Sequence, residues 1–219
     1  MTNSVEEIGE SAFEGCDMTT GIVMPSSIKK IGNFAFKDCR RLETIVDENN
    51  KGISIPRSVT ELGKRIFDGC EGLKSLDIRA RIIGEESFAR MPSLETFTVS
   101  GDVKTIKKHA FEDCVKLRIV DLREDGDGAS IETIEDEAFK GCVSLEKFRL
   151  PATLKKLGNR IFLDCNEDVF KVLVFGGQRA DWRKVEVSKS YREWTGFRRK
   201  YADMEDWCKN GTEYQNWKK

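Results

Sequence analysis

The sequence predicts a repeat solenoid, β-dominated with short helical turns, closed by a C-terminal helix. Three observations carry this: a phenylalanine that recurs near a 23-residue spacing, apolar columns that keep phase with it, and a composition shift after Phe175. With the phenylalanine as origin, the units fall at Phe13, Phe36, Phe67, Phe88, Phe111, Phe139 and Phe162, spaced by 23, 31, 21, 23, 28 and 23 residues. Insertions at 47–52 and 124–128 and a shortening around 79–81 account for the departures, so seven units are visible.

The other columns exclude coincidence. Five positions before each origin stand Ile8, Ile31, Leu62, Ile83, Ile106, Ile134 and Leu157, followed in five units by glycine: Gly9, Gly32, Gly63, Gly84 and Gly158. Three after stand Cys16, Cys39, Cys70, Met91, Cys114, Cys142 and Cys165. Six after stand Leu42, Leu73, Leu94, Leu117 and Leu145, with Thr19 and Asp168 breaking the column in the end units. A unit this short cannot bury its apolar face alone, whereas stacked coils share a continuous core. The stretch Leu145-Glu-Lys-Phe148-Arg-Leu150 alternates like a short strand that pairs in parallel with its equivalent in the next coil. A second extended piece is expected over 59–62 and its equivalents, a short helical turn over Ala-Phe-x-x-Cys, and a tight bend or close approach at the glycine column.

Units such as Ile28-Lys-Lys-Ile31-Gly-Asn-Phe-Ala35-Phe36-Lys-Asp-Cys39-Arg-Arg-Leu42 and Ile131-Glu-Thr-Ile134-Glu-Asp-Glu-Ala138-Phe139-Lys-Gly-Cys142-Val-Ser-Leu145 resemble the BspA-type leucine-rich repeats. The resemblance runs over roughly 4–174 and lacks the asparagine column of commoner leucine-rich repeats. It implies a right-handed leucine-rich-repeat superhelix of binding type, linked with adhesion or protein binding on bacterial or protist surfaces, with no catalytic residues. Gly177-Gln-Arg-Ala-Asp-Trp182 looks like the closing unit of that family. The domain organisation read from this is a solenoid over 1–175 and a closing unit with an aromatic amphipathic helix over 176–219.

Composition narrows the function. Thirty-seven basic against 38 acidic residues leave a net charge of -1, without the cationic excess that nucleic-acid or anionic-membrane binding requires. No run of about 18 apolar residues is present to span a membrane, and the first residues lack the apolar core of a signal peptide. The chain therefore reads as soluble, with cell surface or secretion implied only by the family resemblance. A single histidine, His109, at a variable column position expected to be exposed, removes most histidine-based catalysis and metal chemistry. Six of seven cysteines share a column that Met91 completes, and methionine replaces an apolar filler rather than a disulfide half or a metal thiolate, so free structural thiols are expected. The acidic loop 124–128 lacks the ligand pattern of a calcium site, and no cofactor is expected.

All four tryptophans and all three tyrosines follow Phe175, and the segment from Gly176 holds eleven basic and seven acidic residues. Trp194, Phe197, Tyr201, Met204 and Cys208 fall on one face of a helix that opens on a capping box at Ser190. That helix reads as a cap on the last coil, or as a partner-docking helix acting through Trp194, Phe197, Tyr201 and Met204. At the other end no polar cap precedes Val5. That end is expected to be open, to be covered by self-association, or to belong to a fragment of a longer surface protein.

The function expected is a non-enzymatic binding scaffold for a protein or glycan, without nucleic acid. By alternation, the outward strand positions are Thr44 and Val46, Ser75 and Asp77, Thr96 and Thr98, Ile119 and Asp121, and Lys147 and Arg149. Of these, Thr44, Ser75, Asp77, Thr96, Thr98, Asp121, Lys147 and Arg149 are the candidate contact residues.

Overall fold

The computed structural model describes residues 4–47, 54–80, 82–99, 103–122, 130–170 and 172–187. Trp194, Phe197, Tyr201, Met204, Cys208 and the acidic loop at 124–128 lie outside the described residues. In chain order the elements are β1 (Glu7–Ile8), β2 (Gly21–Met24), β3 (Lys30–Ile31), β4 (Thr44–Asp47), β5 (Ser54–Ile55), β6 (Glu61–Leu62), β7 (Ser75–Ile78), β8 (Thr96–Val99), β9 (Thr105–Ile106), β10 (Ile119–Asp121), β11 (Thr133–Ile134), β12 (Lys147–Leu150), β13 (Lys156–Leu157), β14 (Val172–Phe175) and α1 (Arg179–Trp182).

These elements wind into a parallel β-solenoid. The longer strands and the two-residue β5 form a six-stranded sheet in the order β14-β12-β10-β8-β7-β5 and a separate pair, β2 with β4. The other two-residue strands form β1-β3-β6 and β13-β11-β9 on another side, with Ile83 bridging to Ile106 between them. All pairings are parallel, because each strand meets its own equivalent one coil later. The insertion at 47–52 explains the break in the long sheet. Coil two delivers its strand in two pieces: β4 pairs back to β2, and β5 pairs forward to β7.

The apolar columns supply the core as expected. Phe36, Phe67, Phe88, Phe111, Phe139 and Phe162 are fully buried, as are Ile83, Ile106 and Ile134 and the leucines Leu42, Leu73, Leu94 and Leu117. From Phe13 to Phe139 the rings stack almost face to face, with centroids 5.2, 5.4, 6.5, 5.6 and 5.2 Å apart. These steps follow the roughly 4.8 Å spacing of paired strands, and the widest falls at the shortened unit. In the last unit the leucine place, which Asp168 breaks by strict counting, is taken two residues later by buried Phe170.

The corner at Ala-Phe-x-x-Cys corrects the expectation of a short helical turn. Every unit places two residues in the left-handed region there, one two before the phenylalanine and one two after, from Ser11 and Gly15 in the first to Arg160 and Asp164 in the last. The reason lies in where the amides go. A helix would return them to its own carbonyls four residues back. Here Phe13 donates to the Ala35 carbonyl at 2.8 Å, Phe36 to Ile66 at 2.9 Å and Phe111 to Ala138 at 2.9 Å, each in the following coil. The left-handed pair turns these amides along the solenoid axis, making the corner a third stitched edge. The glycine column serves close approach instead: a Cβ on Gly32 would stand 2.6 Å from the Glu10 nitrogen of the coil before.

The described cysteines are free and, apart from Cys16, buried. They do more than fill space. The thiol of Cys39 donates to the Phe13 carbonyl at 2.9 Å, and Cys70, Cys114, Cys142 and Cys165 repeat the bond to Phe36, Phe88, Phe111 and Phe139. Each thiol thus ties its coil to the one before. Burial pushes the Cys114 and Cys165 thiols up to about 12.

Ion pairs run between coils on the outer surface. Glu132 accepts Lys155 at 2.8 Å from one side and Lys104 at 3.3 Å from the other, and these two lysines, Lys155 foremost, hold its carboxyl below the ordinary range. His109 departs from the exposed position expected of it. It is half-buried at a left-handed corner, with Nδ1 3.2 Å from Glu112 and Nε2 3.8 Å from Glu137. Its ring spans two coils because the corner aims side chains along the stack.

Residues 172–187 lie against the last coil. The strand β14 pairs with β12, Trp182 packs edge-on to Phe175 at 5.2 Å, Val185 is buried, and Glu186 bridges to Lys156.

Candidate binding face

Parallel strands buried on one side present every second residue outward, and a stack of them turns those residues into rows. Leu76, Ile78, Phe97, Val120, Phe148 and Leu150 point into the core. The alternate positions therefore face out. Ser75, Thr96, Ile119, Lys147 and Val172 share one row, each in register with its neighbour. A second row carries Asp77 beside Thr98, then Asp121 beside Arg149 and Val174.

Seven of the eight candidate residues thus meet on the six-stranded sheet, while Thr44, with Val46, stands apart on the β2–β4 pair. Thr96 and Thr98 are exposed; Ser75, Asp77, Asp121, Lys147 and Arg149 are half-buried by their neighbours in the rows. The second row is cross-linked: the Thr98 hydroxyl donates to Asp77 Oδ1 at 3.1 Å, and Arg79 Nε donates to Asp77 Oδ2 at 2.6 Å. Hydroxyls and carboxylates occupy β7 to β10, and the basic pair Lys147 and Arg149 follows on β12. A surface of this kind can accept and donate hydrogen bonds along an extended ligand. Among the described residues no group of three or more His, Cys, Asp or Glu is arranged to hold a metal ion, and no helix is long and apolar enough to cross a membrane.

Comparison with known proteins decides the family. The model of the BspA-type leucine-rich repeat region matches residues 1–51 and 46–168, in six copies. The chain belongs to the BspA-type leucine-rich repeat proteins. Among solved structures, this BspA-type chain is 28% identical to a leucine-rich repeat protein from Bacteroides ovatus, covering 80% of this chain and 46% of that one at a TM-score of 0.48. The T. pallidum leucine-rich repeat protein is 24% identical, covering 79% of this chain and 63% of that one at a TM-score of 0.45. A leucine-rich repeat protein from Eubacterium ventriosum is 20% identical, covering 78% of this chain and 44% of that one at a TM-score of 0.53, a likeness of fold. The chain thus spans about half the length of the first of these and less than two thirds of the second. No curated protein matches it.

Sequence reasoning missed three residues of the face. Arg79 stands two residues beyond Asp77, in the outward phase, and alternation carried past the strand end finds it. Val172 and Val174 extend both rows onto the last strand. They were hidden because the last unit inserts two residues before Phe170, which throws strict column counting out of phase.

Proposed function

We propose that this BspA-type chain is a non-enzymatic binding scaffold that engages a protein or glycan through the strand face of the solenoid, in the setting of cell-surface adhesion. One observation carries the reading: seven polar and charged side chains predicted from alternation stand in two adjacent rows on one continuous parallel sheet. Such rows are not needed for the core, which lies on the other side. They match in spacing the repeating groups of an extended polypeptide or oligosaccharide.

The test is a binding survey of the full chain on glycan arrays and displayed extracellular protein fragments, repeated with Thr96→Arg/Thr98→Arg. Both threonines stand outside the core, and the one bond lost, from the Thr98 hydroxyl to Asp77, is solvent-exposed, so the melting curve stays within a few degrees of wild type while captured ligands are lost. Retention of every ligand by the double variant sinks the strand-face reading.

A further inference from the structure

The outward rows of the six-stranded sheet are not uniformly open. On β7, β10, β12 and β14 the row residues are half-buried by their neighbours, whereas on β8 Thr96, Thr98 and the preceding Glu95 are all exposed. That strand accepts more than it donates. The Thr98 hydroxyl spends its proton on Asp77 Oδ1 at 3.1 Å, which leaves its lone pairs for a ligand, and Arg79 holds the other Asp77 oxygen. Glu95 makes no ion pair among the described residues, although Lys74 stands in the same column one coil back. The strand thus offers a carboxylate beside two hydroxyl oxygens to an incoming donor.

Two strands on, the sign reverses. Lys147 and Arg149 stand on β12, where Asp121 of β10 is the one acid in register beside them, and Glu146 is taken by Arg118 at 2.8 Å. Two bases against one acid leave this strand a positive charge in excess, and Lys147 lies between the apolar Ile119 and Val172 in its own row. The two poles are two strand steps apart, about 9.6 Å, with Ile119 in register between them. That spacing selects among ligands. A neutral glycan carries no charge for either pole and an acidic glycan only the sign that Lys147 takes, whereas a polypeptide can carry both. In an extended strand, side chains of one face recur every 6.8 Å, roughly, which falls between coil steps. In a polyproline II helix they recur every third residue, about 9.3 Å, which matches two coils.

We propose that the strand face takes a polypeptide segment in the polyproline II conformation, with a base seated on Glu95, Thr96 and Thr98 and an acid three residues away seated on Lys147. The inference rests on the strand-face reading and names the class of its ligand. Exposed ion pairs contribute little singly, so the simultaneous match of both poles, rather than either one, sets the preference. The ligand backbone between the two charges lies over Ile119, where no charge has to be desolvated.

Fluorescence anisotropy with the full chain at up to about 1 mM tests it, using a labelled probe of about 18 residues that repeats Lys-Pro-Pro-Glu-Pro-Pro. The probe saturates, and an isomer repeating Lys-Pro-Glu-Pro-Pro-Pro, which sets the charges two and four residues apart, binds about fivefold more weakly. Glu95→Lys alone and Lys147→Glu alone each leave two like poles and weaken the first probe about fivefold, with unchanged far-UV circular dichroism. The double variant Glu95→Lys/Lys147→Glu exchanges the poles, and the probe, shifted by three residues, binds as it does to wild type. The inference is overturned if the probe does not bind, if the isomer binds equally well, or if the double variant binds no better than the single ones. The strand-face reading fails separately, when Thr96→Arg/Thr98→Arg keeps every ligand of the survey. Glycans captured by wild type and lost in that variant, with no binding of the probe, overturn this inference and leave the strand-face reading standing.

Discussion

Phe111 is the ring whose removal tests the stacking account most sharply. It is fully buried and touches three rings, Phe97 at 4.2 Å, Phe139 at 5.2 Å and Phe88 at 5.6 Å. Replacing a buried phenylalanine by alanine costs about 3–5 kcal/mol when the cavity stays unfilled, and the three ring contacts put Phe111→Ala at about 5. Phe13 is the comparison. Among the described residues it stacks on Phe36 alone, and it is 45% exposed, so Phe13→Ala leaves a wider cleft rather than a sealed cavity and costs about 1.5 kcal/mol, near the transfer value alone. Urea unfolding followed by far-UV circular dichroism and by tryptophan fluorescence measures both. Every tryptophan lies at Trp182 or beyond, so fluorescence reports the C-terminal end while circular dichroism reports all coils. In a stack where each coil touches only its neighbours, a gap at the fifth coil also uncouples the two ends, so the two transitions separate in Phe111→Ala and coincide in Phe13→Ala. Equal destabilisation by the two substitutions, within about 1 kcal/mol, refutes the reasoning.

Two further predictions use the same geometry. Gly63→Ala drives a Cβ into the Gly32 backbone of the preceding coil, whereas Gly9→Ala meets nothing within 4 Å. The first lowers stability by about 2 kcal/mol or more and the second by less than about 0.5, and equal melting temperatures for the two would remove close approach as the purpose of the column. The thiol column sets an alkaline limit. Desolvation raises Cys114 and Cys165 to about 12, above the ordinary range these thiols regain on unfolding. The unfolded chain then loses protons that the folded chain keeps. The stabilisation is complete below about pH 9 and is lost as the pH climbs toward 12, at up to about 1.4 kcal/mol per pH unit for each thiol. Urea midpoints at pH 7, 9 and 10.5 read this slope, and Cys114→Ala flattens it; a slope identical to wild type contradicts the assignment. Alkylation of the native chain at pH 8 with peptide mapping gives modified Cys16 and unmodified Cys39, Cys70, Cys114, Cys142 and Cys165.

Most of the architecture was legible because a solenoid writes each structural role into a column. The strand phase, the inward rings and the outward rows all follow from the spacing between Leu73, Leu76 and Ile78 and their repeats. The corner was not legible. Ala-Phe-x-x-Cys has helical spacing, and only the left-handed Phe34, Arg65 and Glu137, residue types with no preference for that conformation, show that stitching to the next coil overrides local propensity. The donor role of the thiols was equally hidden, since Met91 in the same column argues for filler alone and keeps the packing without the bond. On the binding face, alternation placed the residues, but the split of coil two into β4 and β5, which sets Thr44 apart, arises from an insertion whose path no periodicity encodes.

The repeated corner has a bearing on how such a chain changes length. Every join between neighbouring coils uses the same parts: a pair of left-handed residues, an amide offered forward to the next corner, and in five of the joins a thiol offered backward to a phenylalanine carbonyl. Duplication or excision of one in-phase unit leaves both flanking seams chemically equivalent to those it replaced. The structure thereby tolerates recombination in whole coils, while a slip of a single residue would turn every downstream ring out of its stack and every outward side chain into the core.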